Sequence, residues 1–516
     1  MDLPPSEAAV LAELTVPDVG APPPGQAGPR PAGQSRPGRT RRLARGHWPF
    51  GVLLLAGIAI RVIAMVGYRG ALRTPDTTRY LRNALHLAPG TVRPSGYSVL
   101  LRLLEPLHSF AAVAAVQHAM GLAVVVIGYL LLVRAGLPGW GAAIAMAPPL
   151  LSAYAVQLEQ FLLSDTLFAL LLMIAVALTL WWRQPPAWAC AVTGLLVAAA
   201  ALTRSEGTPL LAVFAVYLLV RFARWRTVLA VAALCAAFGA PVAGYAAWYS
   251  RVHGSFELTS SSGAFLYGGA ATFADCARFT PPAAERRLCL SVPVGRRKWS
   301  DYYIFAGPLA ALPGGPFGAV ADRLGRRFAL QAIKAQPLDY LRAFAGTLAE
   351  NFEPPPSPLA ASAAVRNRAL HFTEYLFPAT PPKPASPGTA RMFSRYDPAG
   401  PGLHVVQPYA GWVRAYQRYV IVPGPLLAVI ALVGLGGLLA GWRRLGGPAL
   451  LPWLIGTGLL AIPAAIIEAY PRYVVGVVPF LCVAAALGAR QIAASLADRR
   501  ASRPSARHSA PRTLPR

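Results

Sequence analysis

The sequence predicts an all-α polytopic membrane protein, with about ten transmembrane helices, interfacial helices in a first external loop and one large external loop region. Three observations predict this class. Of the 516 residues, 55 % are hydrophobic and only 13 % are charged. The mean hydropathy is +0.46, which is not a soluble composition. Apolar runs long enough to cross a bilayer recur along the chain, and they decide where each helix is expected.

Ten apolar runs are the candidate spans, because a crossing helix needs about 20 such residues. They lie near residues 48–68, 110–133, 137–157, 161–182, 186–203, 207–223, 227–249, 420–442, 448–468 and 472–493. Seven spans precede the long loop and three follow it. The expected regions are a tail (1–46), an N-terminal membrane module (47–249), a loop region (250–419), C-terminal helices (420–493) and a basic tail (494–516).

The N-terminal tail is rich in proline and arginine. Residues 1–46 hold nine prolines and show no apolar periodicity, so we expect them to be disordered. Several arginines stand just ahead of the first span, and no small-residue cleavage site follows it. This arrangement predicts a signal anchor with its N-terminus inside.

Arginines in the tight connections predict the orientation. They are Arg134, Arg183, Arg221, Arg224, Arg226, Arg443, Arg444 and those of the tail from Arg499. All fall on one side, which the positive-inside rule makes cytoplasmic. We therefore expect a multi-pass protein of the plasma membrane with its active site on the extracytoplasmic face. Attraction to anionic headgroups accounts for the net charge of +27, so no nucleic acid is needed as a partner.

Several kinds of chemistry lack their motifs in this sequence. The five cysteines form no C-x-x-C pair, which argues against a zinc ribbon or an iron–sulfur site. There is no P-loop, zincin or nucleophile-elbow motif. Cys276 and Cys289 lie thirteen residues apart in the long external loop. We expect them to form a local disulfide in an oxidising compartment, with two free thiols as the alternative.

Two acidic residues on the predicted outer face are candidates for chemistry. Asp76 precedes a helix-like stretch shortly after the first span, where a carboxylate can meet a lipid headgroup. Its simpler interpretation is an N-cap. Asp165 falls four residues inside an apolar run, where a charge is costly and usually has a partner or a function. The alternatives for Asp165 are a buried ion pair or a protonated acid.

Three cations stand where the topology disfavours them. Arg204 lies in the short outer turn after the fifth span, beside Glu206, and Arg472 lies at the outer end of the last span. Arg61 lies inside the first span. Such residues could surround a diphosphate or phosphodiester near the outer leaflet, although Glu206 could equally be the only partner of Arg204.

Short elements in the expected outer loops match a known family. Five elements occur in the same order as in that family. They are an acid followed by tyrosine, a Pro-x-Gly-Tyr, a Ser-acid-x-Leu-Phe, an Arg-x-Glu-Gly, and an Arg-Tyr followed by proline. They are Asp76 and Tyr80; Pro94, Gly96 and Tyr97; Ser164, Asp165, Leu167 and Phe168; Arg204, Glu206 and Gly207; and Arg472, Tyr473 and Pro479. The chain thereby resembles the GT-C superfamily of polyprenyl-phosphate-sugar-dependent glycosyltransferases, which includes protein O-mannosyltransferases and the aminoarabinose transferase of lipid A.

This resemblance implies transfer of a sugar from a polyprenyl-phosphate donor to an acceptor lipid, glycan or protein. Asp76 would be the general base, and Arg204, Arg472 and Arg61 would bind the donor phosphate. Tyr80, Tyr97, Asp165, Glu206 and Tyr473 would support them. Many relatives carry two adjacent acids where this chain has Asp76 and Thr77, so a divalent metal stays open and no cofactor is assigned.

Two other classes of function stay open. A transporter or flippase of a lipid-linked or anionic substrate would also place charges in spans, but it usually shows repeated halves, and the sequence shows none. A non-catalytic cell-envelope assembly protein would not need the lone external arginines. Neither the sugar nor the acceptor is identified by the sequence.

The predicted orientation can be tested by thiol labelling of introduced cysteines in place of Ala385 and Arg444. We expect a membrane-impermeant reagent added outside to label position 385 at once, and position 444 only after permeabilisation. This follows from the one-sided arginines. External labelling of position 444 but not of position 385 would overturn the orientation.

Overall fold

The computed structural model describes residues 39–222, 225–354, 376–382, 385–400, 402–442, 447–468 and 470–501. Most of the expected tail (1–46), the end of the C-terminal tail, Arg224, Arg443 and Arg444 lie outside the described residues. The first helix begins at Arg39, so the last part of the expected tail is helical instead. The chain divides into Met1–Arg45 and Gly46–Arg516, and the second unit is described below.

The elements are almost all helices. In chain order they are α1 (Arg39–Gly67), β1 (Tyr68–Arg69), α2 (Pro75–His86), α3 (Gly96–Leu104), α4 (Phe110–Arg134), α5 (Gly139–Leu151), α6 (Ala153–Gln160), α7 (Asp165–Trp181), α8 (Ala187–Thr203), α9 (Leu210–Phe222), α10 (Trp225–His253), α11 (Ser262–Phe273), α12 (Ala283–Arg286), α13 (Ser300–Phe305), α14 (Ala319–Ala335), α15 (Pro337–Glu350), α16 (Pro387–Tyr396), β2 (His404–Val405), α17 (Tyr409–Gln417), α18 (Gly424–Ala440), α19 (Leu450–Ala465) and α20 (Pro471–Ala501). β1 and β2 pair antiparallel, with Tyr68 opposite Val405.

Each of the ten predicted spans contains an apolar helix. Six described segments are long and apolar enough to cross a bilayer alone: Gly46–Gly67, Phe110–Arg134, Ser205–Phe222, Trp225–His253, Gly447–Ala465 and Pro471–Arg499. The pair α5 and α6 passes together, whereas α7, α8 and α18 are shorter apolar helices of 17 residues each. The prediction of a helical multi-span membrane protein is confirmed, and the number ten remains a prediction.

The third predicted span is bent where proline interrupts it. α5 and α6 meet at 51°, directly after Pro148 and Pro149. Proline lacks the amide hydrogen that the helix ladder needs and clashes with the preceding turn. The bend ends α5 at Leu151 and starts a new helix, α6, whose buried face carries Gln157, Glu159 and Gln160.

α20 is the central helix of the membrane part. It packs against α4, α5, α18 and α19, and Val477, Phe480 and Val483 on it are fully buried. Its contact with α18 is close because glycines face each other. A Cβ atom added at Gly437 would lie 2.1 Å from the Cα of Gly488, and such small residues let membrane helices approach each other.

Part of the long loop forms a small helical core of its own. α11 packs against α13 and α14, with Tyr267, Phe328 and Ile304 buried between them. A disulfide joins Cys276 to Cys289 in this region. The loop region also contacts the end of α19, where the hydroxyl of Tyr340 in α15 donates to the carbonyl of Ala465 at 3.2 Å.

Candidate functional site

α2 positions Asp76 near the start of the segment that joins α1 to α4. The helix begins at Pro75, a residue that suits the first helical position because its missing amide hydrogen would be unpaired there anyway. Thr74 is the N-cap, and its N–H donates to the hydroxyl of Thr77 at 3.0 Å. The interpretation of Asp76 as the N-cap of this helix is therefore wrong. Its carboxylate is available for other partners.

Three arginines from three segments surround the Asp76 carboxylate. Nη1 of Arg79 donates to it at 2.9 Å, Nη1 of Arg472 lies 3.4 Å away, and Nη2 of Arg93 lies 3.7 Å away. Burial alone would raise the pKa of Asp76, but Arg93, Arg472 and Arg79 together hold it well below its usual range. Asp76 is therefore ionised throughout the physiological pH range.

Arg204 is the centre of a second set of ion pairs. It contacts Asp165, and its Nη2 donates to Glu206 at 3.1 Å. Nη1 of Arg93 reaches the same Glu206 oxygen at 3.7 Å, which joins this set to Asp76. α7 starts at Asp165, so this acid lies at a helix N-terminus, where negative charge is favoured, rather than four residues inside a span.

Tyr473 brings Arg204 and Arg472 together. The guanidinium carbons of these arginines lie 5.4 and 5.3 Å from the centre of its ring, which is cation–π distance. Both arginines line one small cavity with Asp165, Glu206 and Tyr473. Arg472 thus contacts Asp76 on one side and shares a cavity with Arg204 on the other, which brings the three residues into one region. Carboxylates accompany the arginines, so charge repulsion alone does not require a bound phosphate here.

The ion pairs and ring contacts described above, together with the hydrogen bond from Tyr473 to Glu468, join one polar cluster, made up of Asp76, Arg79, Arg93, Asp165, Arg204, Glu206, Glu468, Arg472 and Tyr473. Several buried polar atoms of this cluster lack hydrogen-bond partners among the described residues. They are Nε of Arg93, Oδ2 of Asp165, Oε2 of Glu206 and Oε1 of Glu468. Buried polar atoms in proteins are nearly always paired, and exceptions often mark a ligand or ordered water. The cluster therefore has unused donors and acceptors for a polar ligand.

An apolar groove lies next to the cluster. It encloses about 1150 Å³ including its open mouth, between α4, α6, α7 and α20. Val124, Ala169, Val474 and Val478 are among its walls. Asp165 and Gly476 line both this groove and the small cavity that holds Arg204 and Arg472. The small cavity and the apolar groove therefore lie side by side and share two wall residues.

Arg61 lies apart from this arrangement. Its Nε and Nη2 donate to the two oxygens of Glu159, each at 2.7 Å, and its Nη1 donates to the carbonyls of Gly57 and Leu150. His118 is bonded to the same carboxylate at 2.8 Å. The expectation that Arg61 surrounds a phosphate with Arg204 and Arg472 is therefore not met. A buried charge needs a partner of opposite sign, and Glu159 supplies it.

Tyr80 and Tyr97 are buried side chains that pack together on the two helices following β1. Both are buried, and their rings meet edge to face at 4.9 Å. The hydroxyl of Tyr80 bonds to that of Ser164 at 2.9 Å, and the hydroxyl of Tyr97 donates to Gln117 at 2.6 Å. These tyrosines fix α2 and α3 against the helices below, which makes them supports of the cluster.

The sequence interpretation gave no role to Arg79, Arg93 and Glu468. Arg93 stands directly before the Pro-x-Gly-Tyr element, and Glu468 stands four residues before Arg472. Their nearness to these motif residues is the one feature of the sequence that could have identified them. Their contacts depend on how distant segments meet, and sequence spacing does not contain that information.

A metal site finds no support in the described part of the chain. It contains no group of three or more His, Cys, Asp or Glu side chains placed to hold an ion. The acids of the cluster face arginines, which already neutralise their charge.

Comparisons with known proteins give one structural similarity. No protein-family model and no curated protein sequence matches the chain. Crystal structures of ArnT from Cupriavidus metallidurans align with it at 15 % identity, covering 86 % of this chain and 77 % of ArnT. The TM-score is 0.33 for ArnT bound to undecaprenyl phosphate and 0.32 for the apo state. At these scores the alignment carries no conclusion about family or function.

We expect Arg61 to stabilise the fold through Glu159 and to take no part in binding a phosphate ligand. We expect Arg61→Leu to destabilise the protein by about 3–5 kcal/mol, because Glu159 would keep a buried charge without its main partner. Thermal unfolding in detergent would measure the loss. The double variant Arg61→Leu, Glu159→Leu should recover much of it. Equal stability of Arg61→Leu and the unmodified protein would contradict this role.

Proposed function

We propose that the protein transfers a sugar from a polyprenyl-phosphate donor to an acceptor at the extracytoplasmic membrane face. The observation that carries this proposal is the small cavity lined by Arg204 and Arg472, which shares Asp165 and Gly476 with an open apolar groove. A polyprenyl phosphate has the same two parts, an anionic head and a long apolar chain. Arginine binds phosphate oxygens well because its planar guanidinium offers paired donors.

The donor phosphate is assigned to Arg472, Arg93 and Arg204. Arg472 lies at the N-terminus of α20, where the free amide hydrogens and the helix dipole favour an anion. Arg93 and Arg204 each have further donors besides those facing Glu206. The polyprenyl chain would lie along Val474 and Val478, on the face of α20 that forms a wall of the groove.

The reaction needs positive charge at the leaving group and a base at the nucleophile. The acceptor oxygen or nitrogen forms a bond to the anomeric carbon, while the bond from that carbon to the phosphate oxygen breaks. The polyprenyl phosphate leaves with the bonding electrons, and the arginines stabilise the charge that develops on it. The proton of the acceptor passes to the carboxylate of Asp76.

Donor binding would also prepare Asp76 for this role. Without a ligand, Arg93, Arg472 and Arg79 depress the pKa of Asp76, which makes it a weak base. A phosphate that takes Arg472 and Arg93 as partners weakens their hold on Asp76. Its pKa then rises towards the range in which a carboxylate accepts protons efficiently.

The function can be tested directly with membranes that contain the protein and labelled polyprenyl-phosphate sugars. Pentose, hexose and amino sugar donors should be supplied separately, since the sugar is unknown. Consumption of one donor, with release of free polyprenyl phosphate, supports the proposal. Movement of an intact donor across the membrane without its consumption would favour a flippase instead.

Asp76→Asn should abolish sugar transfer while donor binding is kept. The variant preserves the size of the side chain and removes the base, so we expect the rate to fall by about 10²–10⁴-fold. Glu105→Gln is a matched control, since Glu105 forms a comparable pair with Arg102 in the same external loop. Normal turnover by Asp76→Asn would contradict the role of Asp76.

Arg472→Ala should weaken donor binding. The loss of a charge-assisted hydrogen bond, about 1.5–3 kcal/mol, corresponds to an affinity lower by about one to two orders of magnitude. Binding of a short-chain polyprenyl phosphate to protein in detergent would measure it. Arg102→Ala removes an arginine of α3 that pairs with Glu105 outside the cluster, and this variant should bind normally. Equal affinities of the two variants would argue against the phosphate site.

A further inference from the structure

Glu468 is a buried acid that the proposed reaction does not yet use. It is only 4 % exposed and lies in the turn between α19 and α20. The hydroxyl of Tyr473 donates to its Oε2 at 3.1 Å, and its Oε1 has no hydrogen-bond partner among the described residues. One carboxyl group is thus tied to the tyrosine that stands between Arg204 and Arg472.

The turn that presents Glu468 is held in an unfavourable conformation. Ile467 has a φ of 56°, in the left-handed region that β-branched residues rarely occupy. The turn is packed tightly against α11, since a Cβ added at Gly269 would lie 2.3 Å from the carbonyl oxygen of Ile466. Such strain persists where the surroundings impose it and is concentrated at functional sites.

The neighbours of Glu468 favour its protonated form. Burial raises its pKa, and the charge of Asp301 in α13 adds to this. Arg93, Arg472 and the hydrogen bond from Tyr473 act in the opposite direction, and the balance lies at about 8. The carboxyl group therefore carries a proton at neutral pH and loses it as the pH rises through this value.

The protonation state of Glu468 decides where the hydrogen of the Tyr473 hydroxyl points. An ionised carboxylate only accepts hydrogen bonds, so it holds that hydrogen. A protonated carboxyl group has a hydrogen of its own, which it can donate to the tyrosine oxygen. The tyrosine hydrogen is then free to turn towards a phosphate oxygen in the cavity lined by Arg204, Arg472 and Tyr473.

We infer that Glu468 acts through Tyr473 as a positioning residue that couples the binding of the donor phosphate to a proton. In the protonated state it adds a hydrogen bond from Tyr473 to the phosphate. In the ionised state it withdraws that bond and adds a negative charge beside the anion. Both effects weaken binding as the pH rises. The inference rests on the proposed function, because the anion it concerns is the proposed donor phosphate.

The test is the affinity of a short-chain polyprenyl phosphate, measured by calorimetry between pH 7.5 and 9.5. A phosphate monoester loses its second proton near pH 6, so the probe stays a dianion over this whole range. We expect the affinity to fall by about tenfold from the lower to the higher pH. Around pH 8 to 9 the complex should take up protons, which is seen as a heat that depends on the ionisation enthalpy of the buffer.

Two variants separate the coupling from simple loss of structure. Glu468→Gln should bind about as tightly as the unmodified protein at pH 7.5 and lose the pH dependence, because its amide donates to Tyr473 as the protonated acid does. Tyr473→Phe should bind more weakly at pH 7.5 and also lose the pH dependence. Glu105→Gln, outside the cluster, should keep the full pH dependence of the unmodified protein.

Proton uptake on binding is measured with the unmodified protein alone. The inference therefore stays testable if either variant fails to fold. Constant affinity over the whole range without proton uptake by the unmodified protein would overturn the inference. An unchanged pH dependence in Glu468→Gln would do the same. If the probe binds at no pH, the proposed donor site is wrong and the inference falls with it. Binding that requires Arg472 but ignores pH contradicts only the inference.

Discussion

The attraction between Asp76 and the arginines around it joins parts of the chain that are far apart in sequence. Arg79 comes from the same helix, Arg93 from the next loop and Arg472 from the start of the last span. Glu206 extends the network to Arg204 and Asp165. Buried charges are stable only when paired, so these ion pairs fix how the segment between α1 and α4 sits on α7, α8 and α20.

In the proposed function, the same network would serve both donor binding and chemistry. Arginines that are paired with carboxylates in the free protein can accept phosphate oxygens as new partners of the same charge, so each arginine keeps an anionic partner. Such an exchange would weaken the attraction that lowers the pKa of Asp76. It would also change the electrostatic potential at Glu468. In this proposal, the apolar groove beside Asp165 and Gly476 would select anions that carry a long apolar chain. Recognition of the ligand and activation of the base would then be consequences of one rearrangement.

The sequence predicted the helical membrane class and the positions of the apolar helices, because hydrophobic runs are a local property. It also selected Asp76, Arg204 and Arg472, since each is an awkward charge at the outer end of a span. It placed Arg61 in the wrong group, because its pairing with Glu159 depends on the bend after Pro149. Arg93 and Glu468 were missed as site residues for the same reason. Their partners lie in segments that only the folded chain brings together.

A structure of the protein determined with bound polyprenyl phosphate tests the central claim most directly. The account predicts phosphate oxygens within hydrogen-bond distance of Arg472 and at least one of Arg93 and Arg204, with the lipid chain along Val474 and Val478. Arg472 should then lie farther from Asp76 than the 3.4 Å of the free protein. A phosphate bound elsewhere, with the contact between Asp76 and Arg472 intact and the groove empty, would contradict the account.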